Sequence, residues 1–225
     1  SFISNAGVAA FYTTLAKEND GYSLFLVPAD SEGLVTMPSP EIIAPHVLGE
    51  LEFNDVVLNE SSRLGEPGAA FRHVLATLSV FRISVAGAAL GVMEGALREA
   101  VKHCSNREQF GRPLAKHGPV ATLLADSWAD LESSRYLTYQ TASLASVDPG
   151  KNLDRSSLAK LAATEAATRV VDRCVQTMGR WGLIRGSKIE KFYRQARPMR
   201  VYEGASEVLR LGITARLMSE YNDES

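Results

Sequence analysis

The spacing of apolar residues in this 225-residue chain changes near residues 64–68, which read Leu-Gly-Glu-Pro-Gly. Before that point, apolar residues fall in short runs rich in Val, Phe, Tyr and Thr, which are typical of β-strands. These runs cover residues 8–17, 22–27 and 48–57. Turn-forming residues separate the runs, at positions 19–21, 32–33 and 38–40. Short strands at this spacing predict a piece of an antiparallel sheet or barrel.

Beyond residue 68, apolar residues recur three and four positions apart, as on one face of a helix. The segments with this spacing cover residues 69–106, 119–146, 154–181, 187–197 and 205–220. We predict Asp154 as the N-cap of the third segment and Gly182 as the residue after its end. Long amphipathic segments joined by short loops predict a helical bundle. The predicted fold class is α+β: a partial antiparallel β-domain over residues 1–64, then an all-α four-helix bundle over residues 65–225.

The overall composition excludes several classes of partner. Lys and Arg together number 24 against 26 Asp and Glu, so there is no basic surplus for nucleic acid or anionic membrane. The longest apolar run, residues 83–93, is interrupted by Ser84, Gly87 and Gly91 and is shorter than a bilayer requires, so we expect no membrane span. Two cysteines in helical sequence indicate a reducing compartment. No signal peptide opens the chain, whose first four residues read as the middle of a strand, so we expect further sequence upstream.

No pattern of metal ligands is present. The four histidines (His46, His73, His103 and His117) are scattered, and none has the spacing of a metal site or lies near a cysteine pair. We interpret them as surface residues or satisfied core residues. No nucleophile elbow appears either.

Three short stretches carry residues suited to chemistry. In the first, Arg107, Gln109 and Phe110 offer a cation, an amide and a stacking face beside Gly111, a set that suits a cofactor with phosphate and an aromatic ring. The alternative is an ordinary corner between two helices, with glycine at a C-cap-like position.

The second stretch has Gln176 followed by Gly179 and Gly182, so a ligand or another backbone can approach closely, although the end of a helix explains the same glycines. In the third stretch, Glu203 lies just before a helix start at Ser206, where a serine hydroxyl can cap the helix. A carboxylate in a tight, partly apolar pocket can act as a general base. The alternative is that Glu203 only decorates the helix N-terminus.

In this order the three stretches resemble the signature of the acyl-CoA dehydrogenase family: R-x-x-F-G, then Q-x-x-G-G-x-G, then Y-E-G-[TA]-[SN]. Residues 2–6 and 21–27 also resemble two strands of the family's middle β-domain. The resemblance covers essentially the whole chain. The family's N-terminal helical domain and its T-E-P-x-A-G-S-D loop have no counterpart in these 225 residues. The resemblance therefore implies either a longer protein or a separate partner that supplies the missing half.

The resemblance implies FAD as the cofactor and Glu203 as the base that removes the α-proton of an acyl-CoA. The residues implied to bind the cofactor are Arg107, Gln109, Phe110, Gln176, Gly179, Arg180, Ser206, Ser4 and Phe2. The residues implied to bind substrate are Arg82, Gly204 and Tyr202. It further implies a homo-oligomer, dimer or tetramer, with FAD between subunits, and an electron-transferring flavoprotein as acceptor. The expected location is the bacterial cytoplasm, or the mitochondrial matrix in a eukaryote.

The sequence differs from the family motifs at two positions, and two other functions remain open. Arg180 replaces the second glycine of the family's pair and would be strained if that position needs a positive φ, and Phe2 replaces the usual tryptophan. Some members carry the base on the first long helix, but residues 78–82 here contain no carboxylate. The same base would serve an acyl-CoA oxidase, which passes electrons to oxygen. A non-catalytic assembly subunit of a split flavoprotein is the alternative from a different class.

Overall fold

The computed structural model describes residues 2–19, 21–148 and 152–223. The chain forms two compact units, Ser1–Leu75 and Ala76–Ser225. The boundary between them lies inside the first helix, which begins at Ala70. The predicted boundary between residues 64 and 65 stays a prediction.

The first unit consists of short antiparallel strands. They are β1 (Ile3–Ser4), β2 (Phe11–Glu18), β3 (Gly21–Pro28), β4 (Leu34–Pro38), β5 (Leu48–Phe53) and β6 (Arg63–Leu64). One sheet has the order β1-β5-β4 and the other has the order β2-β3-β6. The tight hairpin between β2 and β3 pairs Glu18 with Gly21. Gly21 has a φ of 137°, and a Cβ there would lie 2.9 Å from Gly68 O, so this position requires glycine.

The region predicted to form strands does so, but several strands begin or end at other residues than predicted. The sequence pattern missed β4, because this five-residue edge strand ends in Pro38 and has too little alternation to stand out. The run predicted to reach residue 57 ends at Phe53, because Asn54 N–H bonds to Gly33 O (2.8 Å) and Asp55 has a φ of 51°. The run predicted from residue 8 begins at Phe11. Asp20, in the predicted turn at 19–21, and Ser1, in the predicted opening strand, lie outside the described residues.

The second unit is helical. The five helices are α1 (Ala70–Asn106), α2 (Gly118–Val147), α3 (Leu153–Met178), α4 (Lys188–Ala196) and α5 (Ser206–Asp223). A two-stranded hairpin, β7 (Glu108–Gln109) with β8 (Arg112–Pro113), connects α1 to α2. Helix α3 contacts α2, α4 and α5 and is therefore the central element. The α+β class, with antiparallel sheets followed by helices, is confirmed.

Small side chains fill the core of the helical unit. On α1 and α3, alanines are fully buried at positions 86, 89, 96, 100, 159, 163 and 167. Met93, Val170 and Val171 supply the larger buried volumes. These small side chains share one buried cluster, so this part of the bundle is held by dense packing of small groups. Both cysteines, Cys104 and Cys174, are buried and free.

The helix ends required three corrections. Helix α3 begins at Leu153 after Asn152, so Asp154 lies inside its first turn rather than at the N-cap. The same helix ends at Met178, and Gly179 rather than Gly182 takes the left-handed φ, at 56°. Residues Gly179–Leu183 then form a 3-10 turn. Helix α5 begins at Ser206 itself, so the cap position falls one residue earlier than predicted.

Within the described part of the chain, α1 is long and apolar enough to cross a membrane by length and composition alone. The core helix of a soluble bundle meets the same two criteria. One face of α1, including Ala86, Ala89 and Met93, is fully buried in the helical unit.

The contact of α1 with α4 offers a test of this packing. A Cβ at Gly95 would lie 2.6 Å from Phe192 Cζ, whereas a Cβ at Gly91, one turn earlier, meets nothing within 4 Å. We expect Gly95→Ala to lower the free energy of unfolding by about 1–3 kcal/mol through overpacking. We expect Gly91→Ala to raise it by up to about 1 kcal/mol through helix propensity. Thermal or urea unfolding of the two variants measures both changes, and equal effects at the two positions would contradict this account of α1 and α4.

Candidate active site around Glu203

The loop between α4 and α5 carries the Y-E-G motif. Pro198 prevents α4 from continuing, and a 3-10 turn follows at Pro198–Arg200. The backbone N–H groups of Val201 and Tyr202 both donate to Pro198 O, at 2.8 and 3.2 Å. The chain therefore reverses tightly just before Glu203.

Glu203 and Gly204 both adopt positive φ, at 54° and 97°. A non-glycine residue in this region costs on the order of 1 kcal/mol or more and persists only where the surroundings hold it. A side chain at Gly204 would crowd Leu209 Cδ2 at 3.1 Å and Arg82 Nη2 at 3.3 Å. The conformation at Glu203 is thus an unfavourable one that neighbouring groups maintain.

Arg82 of α1 is one of those groups. Its Nε donates to Glu203 O at 3.1 Å, and its Nη1 donates to Ser157 Oγ of α3 at 2.9 Å. Burial lowers the pKa of Arg82 below its usual value, and the charge of Glu203 opposes that shift. The sequence interpretation placed Arg82 beside substrate, and the structure places its guanidinium against the backbone of the Glu203 loop.

Lys160 of α3 is a second such group, and the sequence analysis missed it. The residue is fully buried, and its Nζ donates to Gly204 O at 2.7 Å. Burial lowers its pKa to about 8, with a further lowering from Arg82, while Glu203 acts in the opposite direction. The sequence did contain a sign of this role: Lys160 is a charged residue on the face of α3 that buries small side chains, between Ala159 and Ala163.

Glu165, also on α3, ties both ends of the loop to the bundle. Its Oε1 pairs with Arg200 Nε before the loop at 2.9 Å and with Arg210 Nη2 after it at 3.4 Å. Three charged side chains of α1 and α3 therefore hold the segment that carries Glu203: two bind its carbonyls and one pairs with its flanks.

The Glu203 carboxylate has one oxygen, Oε2, that is buried without a hydrogen-bond partner among the residues that the structure describes. The neighbouring Tyr202 is half-buried, and burial together with the charge of Glu203 raises the pKa of its phenol. Ser206 is also buried, at the first position of α5. A buried carboxylate oxygen without a donor is rare and marks a position where a further group can bind or deliver a proton.

The R-x-x-F-G stretch lies at the C-terminal end of α1. Gln109 pairs with Arg112 across the hairpin, and Phe110 and Gly111 between them both have positive φ, as a two-residue hairpin turn requires. The Phe110 side chain is 95% exposed and contacts the edge of His117 at 6.0 Å between ring centroids. Arg107 and Gln109 are exposed as well. Gly111 therefore belongs to a hairpin turn that presents these side chains, rather than to a helix C-cap.

The second glycine-containing stretch lies beside this hairpin. Cys104 Sγ, near the end of α1, donates to Thr177 O at 3.8 Å, which brings the C-terminal ends of α1 and α3 together. Gln176 is exposed, and a Cβ at Gly179 would meet nothing within 4 Å. Arg180 has no positive φ, so the strain considered from the sequence does not arise, and its guanidinium lies 5.0 Å from the Trp181 ring centroid.

The predicted site residues thus form two groups on the helical unit. Tyr202, Glu203, Gly204 and Ser206 lie with Arg82 near the first turns of α3, whereas Arg107, Gln109, Phe110, Gln176, Gly179 and Arg180 lie at its other end. Lys160 and Gln176 are sixteen residues apart on α3, which the helical rise converts to about 24 Å. The structure therefore does not bring the two groups into one pocket of the helical unit.

Phe2 and Ser4 belong to the first unit. The Phe2 side chain is 59% exposed, and Ser4 Oγ lies 3.0 Å from His46 Nε2, within hydrogen-bond distance. Over residues 2–19, 21–148 and 152–223, no group of three or more His, Cys, Asp or Glu side chains could hold a metal ion.

Comparison with known proteins assigns this arrangement to a family. Residues 69–218 match the model of the acyl-CoA dehydrogenase C-terminal domain. The chain is 37% identical over 224 residues to the mitochondrial short-chain specific acyl-CoA dehydrogenase of Rattus norvegicus, covering 98% of this chain and 54% of that protein. It is 35% identical over 216 residues to subunit CarC of the caffeyl-CoA reductase-Etf complex of Acetobacterium woodii, covering 92% of this chain and 55% of the relative.

The solved structure of butyryl-CoA dehydrogenase from Megasphaera elsdenii superimposes with a TM-score of 0.91 at 31% identity, over 96% of this chain and 58% of that one. The chain spans little more than half the length of the curated relatives it matches. The chain therefore belongs to the acyl-CoA dehydrogenase family and contains the family's C-terminal domain.

Proposed function

We propose that this protein is an FAD-dependent acyl-CoA dehydrogenase that converts an acyl-CoA thioester to a trans-2-enoyl-CoA, with Glu203 as the base. The observation that carries the proposal is the buried Glu203 Oε2, which lacks a hydrogen-bond partner among the described residues and sits on a strained, firmly held loop. A buried carboxylate oxygen without a donor leaves room for a further group to approach it, as the base of a proton transfer requires. Strain of this kind is typical of functional positions.

Each residue around Glu203 has a part in this proposal. The ionised carboxylate only accepts hydrogen bonds, and after taking the α-proton it becomes a donor. The family resemblance assigns the backbone N–H of the base to the thioester carbonyl oxygen, where a fixed donor stabilises the negative charge that develops as the α-proton leaves. Arg82 and Lys160 bind the carbonyls of Glu203 and Gly204 and so restrain the loop that carries the carboxylate. We assign Arg82, Tyr202 and Gly204 to the substrate side of the site.

FAD is the cofactor that the family uses, and the exposed groups at the far end of α3 fit it. Arg107 and Arg180 offer cations suited to a diphosphate, Gln109 and Gln176 offer amides, and the exposed Phe110 ring can stack on adenine. When bound, FAD supplies the redox step by accepting the β-hydrogen as a hydride at flavin N5. The family resemblance also assigns Ser206, Ser4 and Phe2 to the cofactor, and we keep them in the proposal as cofactor-binding residues.

The separation of about 24 Å along α3 supports FAD binding between subunits. One protomer would supply Glu203, and the exposed hairpin of another would reach the adenine half of its cofactor. We therefore propose a homo-oligomer, dimer or tetramer. An electron-transferring flavoprotein is the proposed acceptor, in line with a relative that is named as part of an Etf complex. Relatives of mitochondrial and bacterial origin leave both the matrix and the bacterial cytoplasm as proposed locations.

The first test concerns the base. We expect Glu203→Gln to retain FAD but to slow acyl-CoA-dependent bleaching of the flavin by at least about 100-fold, because general-base catalysis contributes that much. Glu207→Gln is the matched control, since Glu207 lies one turn further on and its side chain is 78% exposed. The rate is measured anaerobically from the flavin absorbance after mixing with acyl-CoA. Bleaching of Glu203→Gln at the wild-type rate would refute the assignment.

Flavin absorbance also distinguishes the dehydrogenase from the two alternatives, the oxidase and the non-catalytic subunit. A purified protein with no flavin absorbance, even after FAD is added, would be the non-catalytic subunit. Rapid reoxidation of the reduced flavin by air would identify an acyl-CoA oxidase.

The second test concerns the cofactor hairpin. We expect Arg107→Ala to lower the FAD content of the purified protein and to shift the oligomer toward smaller species, because one cation would contact a cofactor shared between protomers. Flavin absorbance per polypeptide and light scattering measure the two effects. Arg98→Ala, an exposed arginine of α1 that is bonded to Glu94, is the control and should change neither. Unchanged flavin content in Arg107→Ala would count against this assignment.

A further inference from the structure

Two cations, the half-buried Arg82 and the fully buried Lys160, bind consecutive carbonyl groups in the Glu203 loop. Arg82 Nε reaches Glu203 O, and Lys160 Nζ reaches Gly204 O. The two donors come from different helices, α1 and α3. The family resemblance gave a site role to Arg82 and none to Lys160.

Lys160 is in a costly place for a lysine. The side chain is fully buried, and within the described ranges its one hydrogen bond is to a neutral carbonyl. A buried ammonium without a close carboxylate partner is destabilising, and apolar replacement of such a group is often neutral or stabilising. Burial has also brought its pKa down to about 8. The charges of Glu203 and Glu165 offset part of this cost, and the direct bond that the lysine makes is to the loop.

The bond that Lys160 makes fixes the orientation of a peptide plane. In a trans peptide the C=O and N–H point in opposite directions, so holding Gly204 O also fixes the N–H of Ala205. Arg82 does the same for the preceding peptide through Glu203 O. Gly204, between the two planes, has a φ of 97° and the widest conformational freedom of any residue type, so it would otherwise act as a hinge.

We propose that Lys160 is a positioning residue for the Glu203 base: its ammonium holds Gly204 O and so locks the left-handed loop that presents the carboxylate. The inference rests on the proposed function of Glu203. A misplacement of the base by about 1 Å lowers the rate on the order of 100-fold, because proton transfer depends steeply on distance and angle. Loss of Lys160 therefore lowers kcat and leaves the binding of FAD and acyl-CoA largely intact.

Two substitutions remove the bond in different ways. Lys160→Met keeps the length and apolar stem without a donor. Lys160→Gln keeps a polar end, but its amide nitrogen stops one atom short of the lysine Nζ and cannot reach Gly204 O. If the methionine variant does not fold, the glutamine variant carries the test. The control is Thr164→Val, one turn along the same buried face of α3, where the hydroxyl bonds to Lys160 O and not to the loop.

The experiment uses the purified, FAD-loaded enzyme with a saturating acyl-CoA. We expect both Lys160 variants to lower kcat by about 10–100-fold with KM and flavin content within about threefold of wild type. We also expect the rate of flavin reduction to show a larger isotope effect with α-deuterated substrate, because proton removal becomes slower. Thr164→Val, even if less stable to heat, should keep the wild-type kcat and isotope effect.

Opposite results have distinct meanings. Wild-type kcat in a folded Lys160 variant, or a loss confined to KM, would overturn the positioning role while leaving Glu203 as the base. A wild-type enzyme that acyl-CoA does not bleach would instead overturn the proposed function itself.

Discussion

The candidate site depends on a backbone conformation that its own sequence does not favour. Glu203 sits at a positive φ, where a residue with a Cβ is disfavoured, and the glycine beside it could turn either way. Hydrogen bonds from Arg82 and Lys160 to successive carbonyls, with Glu165 bridging Arg200 and Arg210, hold this loop. Helix α1 carries Arg82, and helix α3 carries Lys160 and Glu165. The loop carries a carboxylate with one buried oxygen that has no hydrogen-bond partner in the part of the chain that the structure describes.

Helix α3 organises the whole helical unit. Its small buried face packs against α1 and brings Lys160 and Arg82 within reach of the same loop. Its far end, near the close of α1, presents exposed cations, amides and the Phe110 ring. The two groups are too far apart for one pocket, and the proposal of a cofactor shared between protomers rests on that separation. The exposed apolar side chains of the chain are in keeping with such an assembly.

Most of the helices and strands could be predicted from the spacing of apolar residues in the sequence. Long helices with a regular apolar face were located to within a few residues, since their periodicity repeats many times. Strand β4 was missed, because a five-residue edge strand gives too few repeats to register. Gly182 and Asp154 were placed wrongly at the ends of α3, since several residues there could serve as caps and only packing selects one. The motif residues themselves were found through their order along the chain.

The sequence could not reveal how the Glu203 loop is held. Lys160 is 43 residues from Glu203 in the chain, and its partner is a backbone oxygen that leaves no trace in side-chain pattern. Arg82 was assigned to the site, but its bond to Glu203 O also required the fold. Likewise, the left-handed turn at Phe110 and Gly111 shows that a hairpin rather than a helix end presents the predicted cofactor residues.

In the proposed reaction the Glu203 carboxylate takes the α-proton of an acyl-CoA. The decisive experiment is anaerobic stopped-flow mixing of the flavin-loaded protein with acyl-CoA, followed by flavin absorbance at about 450 nm. If Glu203 is the base, α-deuteration of the substrate slows the bleaching and replacing Glu203 with glutamine nearly abolishes it. Bleaching that is indifferent to both changes would contradict this assignment.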